Sequence, residues 1–388
     1  MNHAPEQLLK ISLGEFTLQR LPKRPLELLR AWDAADEYLL DNFAATVNIA
    51  TEPRILIVND SFGALAVALN SWHPYAFSDS YLSHLATTLN LTENGLALQQ
   101  VKLINSLEPL PGVFDIVLIK APKTLALLED QLIRIRPHLA PNSQVILAGM
   151  VKALPSALWT LLERLIGPTT TSLARKKARL ITATPDAGIA LATNPYPVCY
   201  TLEHSNYLIS NHANVFSRER LDIGTRFFLE HLPIKPAIRD IIDLGCGNGL
   251  LGLIAAERNP LATLHFVDES FMAVASAKDN FSRAFGCARS AAFTVGDGLC
   301  DFEASSADLI LCNPPFHQQH TVGDQIAVSL FIQSRRVLRK GGELWVIGNR
   351  HLNYHSQLQR LFGNHQVIAT NAKFIIIKSH SKNLGATV

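Results

Sequence analysis

The segment between residues 240 and 316 repeats one pattern, in which a short apolar stretch is followed by glycine, acidic or amide residues. The first stretch runs into a glycine-rich turn at residues 245–249, the second ends at Asp268, and a later one ends at Asn313. Strands that end in such residues are typical of open α/β sheets, in which ligands bind at the carboxyl ends of the strands. The pattern therefore predicts an α/β fold with a ligand site along one edge of the sheet.

The glycine turn and the acidic residue suit a ligand that carries a ribose. Gly245, Gly247 and Gly249 can adopt positive φ angles and let the backbone approach a ligand closely. Asp268 follows the turn by about 20 residues, a spacing that suits a carboxylate holding ribose hydroxyls. Residues 247–252 also match the G-x-G-x-x-G fingerprint, so these features alone leave an NAD-dependent oxidoreductase open.

A proline-containing motif follows the last of these stretches and consists of Asn313, Pro314, Pro315 and Phe316. It resembles the Asn/Asp-Pro-Pro-Phe/Tyr signature of the S-adenosylmethionine-dependent class I methyltransferases that modify exocyclic or amide nitrogens. An oxidoreductase would give this motif no role. The resemblance therefore implies a methyltransferase with S-adenosylmethionine as its cofactor.

The chain is similar to the ribosomal RNA guanine-N2 methyltransferases over nearly its whole length. In the second half the resemblance rests on residues 211–217, 221–224 and 313–317. In the first half, residues 20–26 and 32–36 are similar to the large-subunit (23S) members of that family. The resemblance implies methylation of the exocyclic N2 amine of a guanine in ribosomal RNA, with 23S RNA as the expected substrate.

The resemblance also assigns roles to individual residues. The side-chain oxygen of Asn313 and the backbone carbonyl of Pro314 would accept hydrogen bonds from the amine, and Phe316 would stack on the base. Because proline fixes φ, Pro314 and Pro315 would keep this catalytic corner rigid. The expected cofactor-binding residues are Gly245, Cys246, Gly247, Asn248 and Gly249 for the methionine portion, Asp268 and Glu269 for the ribose, Asp297 and Gly298 for the adenine, and Asn313.

A second copy of the pattern occupies the first half of the chain. The aligned pairs are Gly63 with Gly249, Asp79 with Asp268, Asp115 with Asp308, and Gly149 with Gly348. In this copy Asn59 and Ser61 replace two turn glycines, and residues 120–123 replace the Asn-Pro-Pro-Phe motif. We therefore expect two tandem class I (Rossmann-like) methyltransferase domains: a degenerate one at residues 1–190 that positions RNA and cannot bind the cofactor, and a catalytic one at residues 191–388.

Charge and composition limit the partners of the chain. Its formal net charge is only +2, so an RNA-binding surface must be a local patch. Candidate patches are the basic clusters at residues 20–24, 175–179 and 335–340, and two lysines, Lys120 and Lys123, could contact phosphate. The apolar runs are only of strand length, and the five cysteines lack C-x-x-C spacing. These features predict a cytoplasmic protein, expected to be monomeric, with no membrane partner, no metal and no disulfide framework.

Three other functions remain open from the sequence. A protein glutamine N5-methyltransferase shares the signature, but Phe316 stands where tyrosine is usual, and a small helical domain is missing from the first half. A DNA adenine-N6 enzyme would need a target-recognition insertion, and none is evident. A non-enzymatic RNA-binding assembly factor with a vestigial cofactor pocket would suit only the first half. Because a base must leave its stack to react, protein-free RNA is expected to be a better substrate than the assembled subunit.

Overall fold

The computed structural model describes residues 6–23, 27–47, 52–315 and 320–382, except for the side chains of residues 287 and 320–324. The chain divides into two compact units, a first unit of Met1–Tyr196 and a second unit of Pro197–Val388. Among the described residues, no helix combines the length and the apolar character needed to cross a membrane.

The first unit contains nine strands and five α-helices in its described part. The strands are β1 (Leu8–Ile11), β2 (Gly14–Thr17), β3 (Ile55–Val58), β4 (Tyr75–Ser78), β5 (Lys102–Asn105), β6 (Phe114–Lys120), β7 (Leu139–Met150), β8 (Thr169–Thr171) and β9 (Ala178–Ala183). The helices are α1 (Ala34–Thr46), α2 (Ala64–Ala68), α3 (Tyr81–Glu93), α4 (Leu125–Ile135) and α5 (Ala157–Leu165).

The second unit has the same numbers of both elements in its described part. The strands are β10 (Val198–Thr201), β11 (Leu208–Asn211), β12 (Asp240–Leu244), β13 (Thr263–Asp268), β14 (Ala291–Val295), β15 (Ala307–Cys312), β16 (Leu338–Asn349), β17 (Gln366–Thr370) and β18 (Phe374–His380). The helices are α6 (Ile223–Glu230), α7 (Leu250–Arg258), α8 (Phe271–Phe285), α9 (His320–Val337) and α10 (Tyr354–Phe362).

Each unit is built on a seven-stranded sheet with the same topology. The strand order is β5-β4-β3-β6-β7-β9-β8 in the first unit and β14-β13-β12-β15-β16-β18-β17 in the second. Five strands of each sheet run parallel, while β9 and β18 run antiparallel to both of their neighbours. The prediction of two tandem class I methyltransferase folds is therefore confirmed.

The sheet of the second unit is buried on both faces, which explains why its central strands are mostly apolar. Ile241 and Leu309 pack on one face with residues of α6, α7 and α8, including Phe228. Ile242 and Ile310 pack on the opposite face with residues of α9 and α10. Only the residues beyond the strand ends are free of this packing, so the carboxyl edge is where a ligand site can form.

The internal repeat is visible in matching backbone conformations. Gly63 and Gly249 each precede the first helix of their sheet, with left-handed φ angles of 80° and 76°. Asn59 has a φ of 63°, and its counterpart Gly245 has a φ of 70°. The two turns therefore keep the same path although their residues differ.

The alignment of Asp79 with Asp268 is wrong by one residue. The ladders that join β3 to β4 and β12 to β13 make Ser78 the counterpart of Asp268. Oγ of Ser78 accepts a hydrogen bond from the backbone N–H two residues further on, at 3.1 Å, and Oδ1 of Asp268 does the same at 3.0 Å. Asp79 therefore corresponds to Glu269, because a loop of different length shifts the register between the two copies.

Three local features of the second unit lie outside the central sheet or at its edge. Strands β10 and β11 form a hairpin whose connection is residues 202–207. Helix α9 ends at Val337, so Arg339 lies in β16. Phe216 is 59% exposed.

Candidate active site

The glycine turn between β12 and α7 presents bare backbone to open space. A Cβ atom on Gly247, which has a φ of 54°, would meet no described atom within 4 Å. A Cβ on Gly249 would come within 2.7 Å of the Cβ of Ala277, so this glycine is required by packing against α8. The turn therefore needs Gly249 for its fold, whereas Gly247 leaves room that a ligand can use.

Asp268 is joined directly to this turn. Its Oδ2 atom accepts a hydrogen bond from the backbone N–H of Gly247 at 2.9 Å, and its Oδ1 atom accepts one from Ser270 at 3.0 Å. Both bonds use lone pairs of a carboxylate that can accept further bonds. The structure thus brings two predicted cofactor-binding groups together at the ends of neighbouring strands, while Glu269, beside them, is exposed.

The Asn-Pro-Pro corner lies next to the glycine turn. Leu244 and Cys312 are paired in the ladder between β12 and β15, so the residues that follow them are neighbours. The backbone oxygen of Asn313 lies 3.9 Å from the position that a Cβ would take on Gly245. Pro314 is buried and the next proline is exposed. Phe316, the fourth predicted catalytic residue, lies outside the described residues.

The side-chain oxygen of Asn313 is a buried hydrogen-bond acceptor to which no described residue donates. Oδ1 has no hydrogen-bond partner among the described residues, whereas Nδ2 donates to Oγ1 of Thr225 at 3.4 Å. An unpaired buried acceptor costs about 1–3 kcal/mol, so such an atom is a natural place for a donor on a ligand. The amine of a substrate would supply that donor.

Three other predicted cofactor-binding residues lie in different surroundings, and the structure gives each a different explanation. Asp297 follows β14 and is half-buried, and burial raises the pKa of its carboxyl group. Gly298 has a φ of 57°, and a Cβ there would overlap Oε1 of Gln333, so packing against α9 already requires glycine. The thiol of Cys246 is buried in the core, and burial raises its pKa, which leaves only the backbone of this residue near the site.

A network of asparagines that sequence reasoning missed holds Asn248 in place. The side-chain amide of Asn248 donates to Oδ1 of Asn211 at 2.9 Å. Nδ2 of Asn280, in α8, donates to the backbone oxygen of Asn248 at 2.9 Å. Asn280 also exchanges two hydrogen bonds with the backbone of Ser210. These hydrogen bonds join the hairpin, α8 and the glycine turn. In the sequence, the one sign of this network was that Asn211 belongs to a segment that resembles the methyltransferase family.

Asp243 is a second group that the sequence did not single out. It is fully buried under the turn, and its Oδ2 atom accepts a hydrogen bond from the backbone N–H of Gly252 at 2.7 Å. Burial raises the pKa of this carboxyl group to about 8. At neutral pH it therefore acts mostly as a neutral acid that supports the start of α7.

In the first unit, the corresponding site is filled by side chains. Asn59 and Gln131 bond to each other through both side-chain amides, at 2.9 and 2.7 Å, where the other unit has a bare glycine. The carboxylate of Asp60 accepts three backbone hydrogen bonds from the first turn of α2. These contacts consume the polar groups of the turn, so we expect no cofactor site in this copy.

Lys120 stands at the position of Asn313 in the first unit. Its ammonium group lies 2.7 Å from Asp33 and 2.9 Å from Asp36. Burial opposes the charge on Lys120, but the two carboxylates raise its pKa. The suggestion that this lysine contacts phosphate is therefore wrong, because its charge is already compensated inside the unit.

The basic clusters proposed as RNA patches are largely engaged within their own units. Arg175 pairs with Asp41 at 2.7 Å, and Lys176 pairs with Glu37 at 2.6 Å. The other clusters behave similarly: Arg339 pairs with Asp240 and Asp308, Arg336 donates to the carbonyls of Leu299, Cys300 and Phe302, and Arg20 lies over the ring of Phe62. These residues stabilise the fold, and Arg24 lies outside the described residues.

The residues of the second unit fit a cofactor with a methionine portion and a ribose. They offer open backbone at Gly247, a carboxylate at Asp268 and a buried acceptor at Asn313 along one sheet edge. In the part of the chain that the structure describes, no group of three or more histidine, cysteine or acidic side chains could hold a metal ion.

Known proteins match both halves of the chain. The RLMG N-terminal domain model matches residues 6–187, and the Methyltransferase small domain model matches residues 206–378. The ribosomal RNA large subunit methyltransferase G of Pseudomonas fluorescens (strain Pf0-1) is 51% identical over 373 residues, which cover 96% of this chain and 99% of that protein. The protein of the same name from Streptomyces griseus subsp. griseus is 46% identical over 375 residues, 95% of this chain and 98% of its own.

The solved structures add evidence on the fold. The 16S rRNA N2 methyltransferase RsmC of T. thermophilus, in complex with AdoMet and guanosine, superposes with a TM-score of 0.76 over 97% of each chain, at 20% sequence identity. The expected family resemblance and the expected tandem methyltransferase fold are both confirmed. Since 96% of its length matches at 51% identity, the chain belongs to the ribosomal RNA large subunit methyltransferase G family.

Proposed function

We propose that this chain methylates the exocyclic N2 amine of one guanine in 23S ribosomal RNA. As a member of its family, the chain is an S-adenosylmethionine-dependent ribosomal RNA methyltransferase. Guanine N2 is the amine expected from the family resemblance, and methylation of an amine is supported by one observation: the Oδ1 atom of Asn313, beside the glycine turn, is buried and has no hydrogen-bond partner among the described residues. An atom of this kind is suited to accept a hydrogen bond from an amine.

The corner is suited to activating an amine because it supplies acceptors. The N2 lone pair of guanine is delocalised into the ring, which makes the amine a poor nucleophile. Oδ1 of Asn313 and the carbonyl of Pro314 would each accept one N–H bond and favour a pyramidal nitrogen with its lone pair free. Fixed proline φ angles keep both acceptors in place before the reaction, so little reorganisation is needed. Phe316 would stack on the base.

The glycine turn and three acids would hold the cofactor. The backbone at residues 245–249 would bind the methionine portion, Asp268 and Glu269 the ribose hydroxyls, and Asp297 the adenine amine. When bound, S-adenosylmethionine would supply an electrophilic methyl group and leave as S-adenosylhomocysteine. The corner would hold the amine toward that methyl group, and the proton that the amine loses on becoming N2-methylguanine would pass to water. A strong base would not be required.

The first unit would present and position the RNA, since its own corner is filled by Lys120, Asp33 and Asp36. The target base must be turned out of its stack to reach Asn313, which favours protein-free 23S RNA over the assembled subunit. We propose that the reaction takes place in the cytoplasm and that the active protein is a monomer.

The test is incubation of the purified chain with labelled S-adenosylmethionine and, separately, 16S RNA, 23S RNA, intact large subunits and a release factor. Label is expected in protein-free 23S RNA, at N2 of a single guanine by mass spectrometry. Asn313→Ala should abolish transfer and leave the S-adenosylhomocysteine affinity within about twofold. Label in the release factor would instead identify a glutamine methyltransferase. Equal labelling of free RNA and intact subunits would contradict the preference for free RNA.

A further inference from the structure

A threonine on α6 stands between the catalytic asparagine and a carboxylate. Oγ1 of Thr225 lies 3.4 Å from Nδ2 of Asn313 and 3.3 Å from Oδ2 of Asp222. The same carboxylate oxygen accepts the backbone N–H of Thr225 at 2.9 Å, which fixes the first turn of α6. The three side chains therefore form a continuous chain of hydrogen bonds that ends at the corner.

The chemistry of the three groups gives this chain a direction. A carboxylate only accepts hydrogen bonds, so the hydroxyl of Thr225 donates to Asp222. Its lone pair is then left facing Asn313, where it can accept a hydrogen bond from an N–H but would repel an oxygen. The amide of Asn313 is consequently held with Nδ2 toward Thr225 and Oδ1 on the opposite side.

We infer that Thr225 is a positioning residue that keeps the Oδ1 atom of Asn313 directed at the substrate amine. This inference rests on the proposed function. Without the hydroxyl, the amide of Asn313 could turn over and present its NH₂ group to an amine, which is itself a donor. The reaction would then lose its acceptor although every catalytic residue is still present.

The first unit shows that contact among these three positions is built into the fold. Asp33 and Asp222 are each the residue before the first turn of their helix, and Asp36 and Thr225 each lie three residues later. Lys120 takes the place of Asn313 and donates to Asp36, just as Asn313 donates to Thr225. In both units, the residue at the strand end donates to the third residue of the helix. The fold therefore produces this contact in both units, and only the chemical groups that make it differ between them.

The experiment compares Thr225→Val, which removes the hydroxyl at constant volume, with Thr225→Ser, which retains it. Single-turnover methylation of 23S RNA should slow about 10- to 100-fold in Thr225→Val, since an acceptor hydrogen bond is lost. The serine variant should stay within about threefold of the wild type. The S-adenosylhomocysteine Kd and the Tm should change little in either variant. A Thr225→Val rate equal to the wild type would overturn the inference.

A second comparison separates orientation from general damage. Aspartate has two equivalent acceptor oxygens and cannot be turned the wrong way. Thr225→Val should therefore slow the Asn313→Asp enzyme much less than it slows the enzyme with asparagine. Equal slowing in both backgrounds would show a merely structural role. Absence of transfer by the wild type to any RNA would instead refute the proposed function.

A measurement without turnover tests the orientation itself. With selective ¹⁵N-asparagine labelling, the side-chain NH₂ signals of Asn313 are assigned by their loss in Asn313→Asp. These signals should shift in Thr225→Val and remain in place in Thr225→Ser. Unchanged signals in both variants would contradict a hydrogen bond from Asn313 to Thr225.

Discussion

The ammonium nitrogen of Lys120 lies 2.7 Å from Oδ1 of Asp33, at the strand end where the second unit carries Asn313. Asp36 completes the group at 2.9 Å. Burial raises the pKa of Asp36 to about 6, against the attraction of Lys120. Burial also opposes the charge of Asp33, but Lys120 lowers its pKa overall. The first unit thus has an internal ion cluster at the position of the Asn313 amide.

Removing this lysine should destabilise the first unit. Lys120→Met leaves the buried carboxylate of Asp36 without its cation, which costs about 3–5 kcal/mol. The double variant Lys120→Met/Asp36→Leu should recover much of the loss, because it removes the most deeply buried charge as well. Urea unfolding of the three proteins measures this. A double variant that is no more stable than Lys120→Met would contradict the explanation.

The chain should bind one S-adenosylhomocysteine. Isothermal titration calorimetry is expected to give a stoichiometry of one, because only the second unit keeps an open glycine turn. Gly247→Ala places a methyl group in that space at a φ of 54° and should weaken binding at least tenfold. Ser61→Gly, the matched change in the first unit, should not create a second site, since Asn59 remains bonded to Gln131. A stoichiometry of two would contradict the degeneracy of the first unit.

The buried Asp243 should make stability fall as pH rises. Its pKa is raised to about 8 in the folded state, above the unfolded value near 4, so the folded protein retains a proton that the unfolded chain releases. This contribution is complete below about pH 4 and is lost at about 1.4 kcal/mol per pH unit up to pH 8. Asp243→Asn keeps an acceptor for Gly252 and removes the titration.

The measurement is urea unfolding of the wild type and Asp243→Asn at pH 5, 6.5 and 8. The variant should gain relative to the wild type with each step. Asp308 provides a control of opposite sign. Burial opposes its charge, but hydrogen bonds from Arg239, Asp240 and Arg339 lower its pKa. Asp308→Asn should therefore lose a constant amount of stability between pH 5 and 8 and converge with the wild type only in a further measurement below about pH 4. A constant difference across the series for Asp243→Asn would argue against a raised pKa.

The paired asparagines Asn90 and Asn280 separate stability from function. Asn90 bonds to the backbone of Gln19 and Phe62 as Asn280 bonds to that of Ser210 and Asn248, with all distances between 2.7 and 2.9 Å. Alanine at either position leaves buried backbone groups unpaired and should cost about 3 kcal/mol.

Only Asn280→Ala should also weaken S-adenosylhomocysteine binding, because it releases the turn that carries Asn248. Differential scanning fluorimetry and calorimetry of both variants check this. Equal loss of affinity in Asn90→Ala would show that the effect is general destabilisation.

The sequence predicted the strands that carry the motifs, the glycine turn with its altered copy, and a site at the carboxyl edge, because these depend on local pattern. It did not reveal the chain from Asn313 to Thr225 or the bond from Asn280 to Asn248, which join residues 88 and 32 positions apart. It also aligned Asp79 with Asp268, one residue away from the true counterpart, since pattern alone cannot fix the length difference between the two connecting segments. The ion-pair partners of the basic clusters could not be predicted either, because paired residues such as Arg175 and Asp41 are far apart in the sequence.

Because the turns of the two units match, equivalent residues of the two units can be compared within one chain. Where both halves keep a feature, such as the left-handed glycine before the first helix at Gly63 and Gly249, the architecture demands it. Where they diverge, as at Lys120 and Asn313, the fold accepts either residue, so the fold alone does not require the asparagine. In any related enzyme with two such units, the residues that both units share can thus be assigned to the fold. The residues that differ between the units are the candidates for a catalytic role.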